Sequence, residues 1–217
     1  MIAAIAPLLL AAQVGPNPSP MVLEPLPIPR DSKADDAQPA PADFTEQAIA
    51  WTVEGNRAII AGNAEAALQH LDLAREYARA AGEAAMLVDI DLDRARALLM
   101  LDRNDEASAL LDDLRQRSPA NADAWLFSAI AARRLDDLAK AQALIEEAAT
   151  FAPANPGVGL EGGLIAWVAG RQDAAIASWQ SVIEIAPGSD EAEIARQYIE
   201  SAGVTPPPDR NEGIVGR

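Results

Sequence analysis

Cysteine is absent from the 217 residues, which excludes disulfides, thiolate metal sites, thiol nucleophiles and the lipid-modified cysteine of a bacterial lipoprotein. Stability must come from packing, and the redox compartment is left unmarked. Histidine occurs once, at His70, so a nucleophile has a single candidate base near neutral pH and no second imidazole shares a metal. Aromatic residues make up only 4% of the chain, and Ala, Leu, Ile, Glu, Gln and Arg, which lose little rotamer freedom on coiling, take their place. Positive charge is scarce as well. The 17 basic residues, all arginine apart from Lys33 and Lys140, face 33 acids, and the net charge of −16 repels a phosphate backbone. Nucleic acid is therefore not an expected partner, and no polybasic segment suits an anionic membrane surface.

The chain also lacks an apolar run of the roughly 20 residues that a permanent membrane helix needs. Met1 to Ala12 is apolar throughout and gives way to Gln13, Gly15, Pro16, Pro18 and Pro20. Residues 1–12 thus resemble an export signal, with Ala11 and Ala12 small enough for a peptidase site. Against this, the n-region carries no Lys or Arg, and Leu10 is a poor residue three places before the cut. A retained anchor or an incidental apolar tail are the alternatives. Residues 13–42 are proline-rich without apolar periodicity and read as a disordered spacer; residues 204–217, opening with Pro206, Pro207 and Pro208, read as a second tail.

Between these ends a period is present. Pro119, Pro153 and Pro187 recur every 34 residues, and so do Asn121, Asn155 and Ser189, all good helix N-caps, with Pro156 at the favoured first helical position. In the best copy Trp125, Ala129, Ala141, Ile145 and Pro153 reproduce the tetratricopeptide pattern, with Ala148 at a further small position. The next copy has Gly163, Gly170, Ala175, Trp179 and Pro187; the one before has Ala95, Leu98, Ala107, Leu111 and Pro119, with Asp91 and Arg94 at places expected to be apolar. The first copy, Trp51, Gly55, Gly62, Ala67, Leu71 and Ala74, runs on through Tyr77 to Gly82, so its second helix reads as extended by about six residues.

The chain therefore resembles the tetratricopeptide-repeat family over about two thirds of its length. The resemblance implies an all-α, right-handed superhelical solenoid over 43–203, with helix pairs near 48–81, 88–121, 122–155 and 156–189 and a capping helix at 189–202. It also implies a concave groove lined from the first helix of each pair: Thr52, Asn56 and Ile59; Leu92, Arg96 and Leu99; Leu126, Ile130, Arg133 and Arg134; and Leu160, Leu164, Trp167 and Val168. Such a face suits an amphipathic helix or extended apolar segment bearing an acidic group. The alternative is that these side chains only pack against the next repeat or the spacer. The carboxylate-holding set by which some relatives grip a partner's C-terminus is missing, because only Asn56 matches it while Thr52, Asp93, Asp123 and Phe127 stand at other positions.

Three further patterns read as structural. Gly157, Gly159 and Gly162 have the spacing of a dinucleotide loop, but a helix rather than a strand precedes them. Asp89, Asp91 and Asp93 imitate a calcium loop, yet Arg94 replaces its glycine and Met100 its final Glu. The acidic pairs Asp112–Asp113 and Glu146–Glu147 are neighbours on helices and point apart. No cofactor, metal or catalytic group is expected. The expected function is a non-catalytic protein-binding module, exported to the periplasm or secreted, serving as a scaffold or assembly factor for an envelope complex; the alternative is a cytoplasmic adaptor or chaperone.

Overall fold

The computed structural model of the protein describes residues 41–203, and among them there are nine α-helices and no strand. They are α1 (Pro41–Ile60), α2 (Ala64–Ala81), α3 (Ala84–Met100), α4 (Asn104–Arg117), α5 (Ala122–Arg134), α6 (Leu138–Phe151), α7 (Pro156–Val168), α8 (Gln172–Ile185) and α9 (Asp190–Ser201). The expected export signal, nearly all of the spacer and the C-terminal tail lie outside the described residues. α1 opens at Pro41, two residues ahead of the expected start.

The 34-residue register becomes helix punctuation. Asn121, Asn155 and Ser189 each accept a hydrogen bond from a backbone N–H of the helix they precede, at 3.1 Å from Ala124, 2.9 Å from Gly157 and 3.1 Å from Ala192. Within each pair the chain reverses at Gly62, Asp102, Asp136 or Gly170, with φ of 75°, 55°, 62° and 76°. The residue after each turn donates back across the helix end: Asn63 to Ala58, Arg103 to Leu98, Asp137 to Ala132 and Arg171 to Ala166. Glycine takes this left-handed state without a Cβ clash; aspartate is among the few others that tolerate it.

The six-residue excess of the first repeat is shared between two helices. α2 and α3 have 18 and 17 residues where α6 and α5 have 14 and 13. In exchange, Gly82 and Glu83 alone join α2 to α3, Gly82 at φ 77° and Glu83 donating to the Ala78 carbonyl at 2.9 Å, where the later pairs are linked by Ser118–Asn121, Ala152–Asn155 and Ala186–Ser189.

Helix pairs close by matching small residues to large ones. Ala95 and Ala129 meet the same layer as Leu111 and Ile145, all buried. Gly55 lies so near Leu71 that an added Cβ would be 2.6 Å from Cγ, and Gly163 lies against the Trp179 indole, which fills the space a Cβ would need. Buried leucines and isoleucines such as Leu71, Leu111 and Ile165 each contribute roughly 1.5–3 kcal/mol. The backbones of first helices also approach one another, α1 to α3, α3 to α5, α5 to α7 and α7 to α9, whereas those of successive second helices stay farther apart, α4 and α6 meeting through the long side chain of Lys140 and Asp112 at 3.9 Å. The first helices therefore form the inner row, toward which the stack bends.

Candidate functional site: the inner row of first helices

The inner row is stitched at one recurring position, by polar ties in two repeats and by apolar packing in the third. The sixth residue of each internal first helix, counted in the repeat register, is Asp93, Phe127 or Glu161. Asp93 on α3 is hydrogen-bonded by Asn56 of α1. Phe127 on α5 packs on the core that α3 shares. Glu161 on α7 is buried and takes a two-pronged contact from Arg133 of α5, Nε to Oε1 at 2.5 Å and Nη2 to Oε2 at 3.1 Å.

Burial pushes the Glu161 carboxyl above its ordinary range, and the Arg133 and Arg134 guanidiniums only partly oppose this. Asp93 is raised for the same reason, with the Asn56 hydrogen bond and Arg96 opposing and Asp89 adding to the rise. Tyr198 on α9 is raised by burial, opposed by Arg133 and reinforced by Glu161.

These ties redistribute the expected groove residues. Leu99 and Leu126 are buried in the packing, 5% and 7% exposed. Arg133 is engaged by Glu161, and Arg134 donates to the Leu99 carbonyl at 2.5 Å and to Asp102 at 3.1 Å. Of the expected arginines, only Arg96 stays exposed without such a tie, beside Asp93. Leu92, Ile130, Leu160, Leu164 and Trp167 are half-buried, and Val168 is exposed. Trp167 lies 5.7 Å from the ring of Trp179, which in turn lies 5.1 Å from Tyr198. The inner row thus carries a line of half-buried apolar side chains, and most of its positive charge is consumed internally.

The look-alike motifs resolve differently. Gly157, Gly159 and Gly162 are inside α7, where Gly159 admits Val182 of α8. Asp89, Asp91 and Asp93 are in the middle of α3 and diverge: Asp91, 1% exposed, meets Arg75 at 2.7 Å, Arg94 at 3.1 Å and Arg117 at 2.7 Å. Three helices are pinned by one carboxylate. The signal was legible, since Asp91 occupies the register position of Trp51 and Trp125, where an acid must bring its own counter-charges. His70 is half-buried, 5.5 Å from the Trp51 ring. Asp112 and Asp113 pair separately, with Arg115 and with Arg117. Among the described residues no group of three or more His, Cys, Asp or Glu could hold a metal, and no helix is long and apolar enough to cross a membrane.

This geometry matches solved structures. The thermophilic TPR protein TTC0263 of Thermus thermophilus superposes with a TM-score of 0.61 at 19% identity, over 76% of this chain and 84% of that one. The fold is that of a tetratricopeptide-repeat solenoid. MamA from Desulfovibrio magneticus RS-1, residues 41 to the end, is similar at a TM-score of 0.54 and 16% identity, over 80% of this chain and 99% of that one. A MamA crystal structure follows at 0.51 and 17%, over 78% and 87%. No protein-family model and no curated protein matches the sequence. At these identities the tetratricopeptide likeness concerns the fold.

Proposed function

We propose that this tetratricopeptide solenoid is a non-catalytic protein-binding module whose inner row takes an apolar helix or extended segment of a protein partner. The observation that carries the reading is the line of half-buried apolar side chains on successive first helices, Leu92, Ile130, Leu160, Leu164 and Trp167. Five such groups aligned on a bent face offer a partner more apolar contact than scattered surface residues do. Among the described residues of the expected groove, Arg96, beside Asp93, is the arginine left to meet an acidic group on that partner.

The test is a crosslinking pulldown with wild type and the Ile130→Glu, Leu164→Glu double variant, both checked for helicity. Each lost contact is worth roughly 1.5–3 kcal/mol, so the variant should bind a wild-type partner at least about 100-fold more weakly. Identical partner recovery would defeat the groove. Leu126 is unsuited to this test, being 7% exposed and part of the core.

The finer reading is of an exported scaffold or assembly factor for an envelope complex, supported by the apolar Met1–Ala12 run ahead of a proline-rich stretch. N-terminal mass spectrometry of the protein from fractionated native cells decides it. A periplasmic chain beginning near Gln13 supports export; a cytoplasmic chain retaining residues 1–12 favours an adaptor or chaperone in that compartment.

A further inference from the structure

The second helices form the outer row, and the gaps between them are not closed alike. Between α4 and α6 the ammonium of Lys140 lies 3.9 Å from Asp112, and the turn before α8 sends Arg171 back to Gln142 of α6 at 2.5 Å. A cation from the following pair thus crosses each of these gaps. Between α2 and α4 the register places of Asp112 and Lys140 are held by Asp72 and Glu106, two acids, and that of Gln142 by Leu68. Arg103, which stands where Arg171 does, turns onto the start of its own helix instead, its Nε and Nη2 each reaching Glu106 at 2.6 Å. α2, α3 and α4 consequently enclose a recess of about 290 Å³. Leu68 and Leu98, both buried, and the half-buried Leu101 give it an apolar lining, and Glu65, Asp72 and Glu106 stand exposed around it.

We infer that this recess is a second contact site, one that takes a lysine side chain of a protein partner. Both guanidiniums lining it are already engaged. Arg94 meets Asp72 at 2.7 Å and the buried Asp91 at 3.1 Å, and Arg103 is held by Glu106. Three carboxylates therefore face two guanidiniums in the recess, and Arg94 is shared with Asp91 outside it. The surplus is negative, so an acidic ligand is repelled and a cation is drawn in. Both Arg94 contacts to Asp72 fall on Oδ1, leaving Oδ2, and Glu65 has no polar partner among the described residues. A lysine matches both halves of this surface: its aliphatic stem lies on Leu68, Leu98 and Leu101, and its ammonium reaches Glu65 and Asp72. The chain shows the same pairing in the next gap, where Lys140 supplies the cation to Asp112 from within. The recess is on the outer row, so this inference is independent of the partner groove.

The test is a methyl NMR titration of the full-length protein, labelled at leucine, with a capped tripeptide carrying a central lysine and with its uncharged norleucine counterpart. The lysine peptide should shift the Leu68, Leu98 and Leu101 methyls saturably and bind at least about three-fold more tightly than the norleucine peptide, the scale of a few partly exposed charge contacts. Glu65→Gln with Glu106→Lys, which puts the counterpart of Lys140 into the gap, should weaken lysine binding at least about ten-fold, while Glu184→Gln on α8 should leave it unchanged. Should the double variant lose its helical circular dichroism, Glu65→Gln alone decides, with an expected weakening of about two-fold. Equal affinity for the two peptides, no saturable shift, or shifts of the same size at leucines far from the recess, such as Leu164, overturn the inference. An unchanged affinity in the variants overturns it as well. Putrescine binding more tightly than the lysine peptide also overturns it and assigns the recess to a free amine.

Discussion

Gly162 and Gly163 are adjacent in α7 and have opposite surroundings. A Cβ on Gly163 would fall within the Trp179 indole, whereas one on Gly162 would meet only Ile145 at an ordinary 3.8 Å. Both glycines cost helix propensity. Gly162→Ala should therefore stabilise the protein by about 0.5–1 kcal/mol, and Gly163→Ala should destabilise it by about 1–3 kcal/mol, as read from urea unfolding midpoints. Two changes of the same sign would mean that the Gly163–Trp179 contact does not set the helix spacing. The sequence marks both residues only as small. That Gly163 is required follows from Trp179, which occupies the place of Leu111 and Ile145 and is legible in the repeat alignment.

Among elements, the turns inside the helix pairs carry a correctable cost. Asp136 is exposed at φ 62°, in the position that Gly62 and Gly170 hold in other repeats. Asp136→Gly removes the left-handed strain and should raise stability by about 0.5 kcal/mol after the added chain entropy is counted, measurable as a small upward shift in Tm. A fall in Tm would show that the aspartate side chain contributes more than its backbone costs. Helix existence, caps and the 34-residue register were all readable, because N-caps and turn residues act over a few positions. How the first repeat's extra residues divide was not. α2 takes four residues more than α6, α3 four more than α5, and the joint at Gly82 and Glu83 is two shorter than later links, a division set by how the long helices pack.

Over the whole molecule, two buried carboxylates couple repeats, and each has a measurable signature. Asp91 holds Arg75, Arg94 and Arg117 across α2, α3 and α4. Asp91→Ala leaves three partly exposed arginines crowded together and should cost about 3 kcal/mol. It should also broaden the unfolding transition, with α1 and α2 exchanging amide hydrogens ahead of the C-terminal pairs. A sharp, unshifted transition would deny Asp91 this role. Glu161 acts through pH. Because burial raises its folded-state pKa above the ordinary 4.5, folding takes up a proton between the two values. Its stabilising contribution is full below about 4.5 and is lost as pH rises through the folded value. Denaturation at several pH values should show wild type losing stability relative to Glu161→Gln across that window; a constant difference would contradict it.

The sequence by itself determined that this chain coils into paired helices and that the pairs nest: its caps, turn residues and alternating small and large positions act within one repeat and its neighbour. It also set the apolar character of the inner row. Only the tertiary structure decided which inner-row charges are free, because pairing depends on distances between helices. Arg133 and Arg134 look alike in sequence to Arg96, yet Glu161, the Leu99 carbonyl and Asp102 lie within reach of the first two.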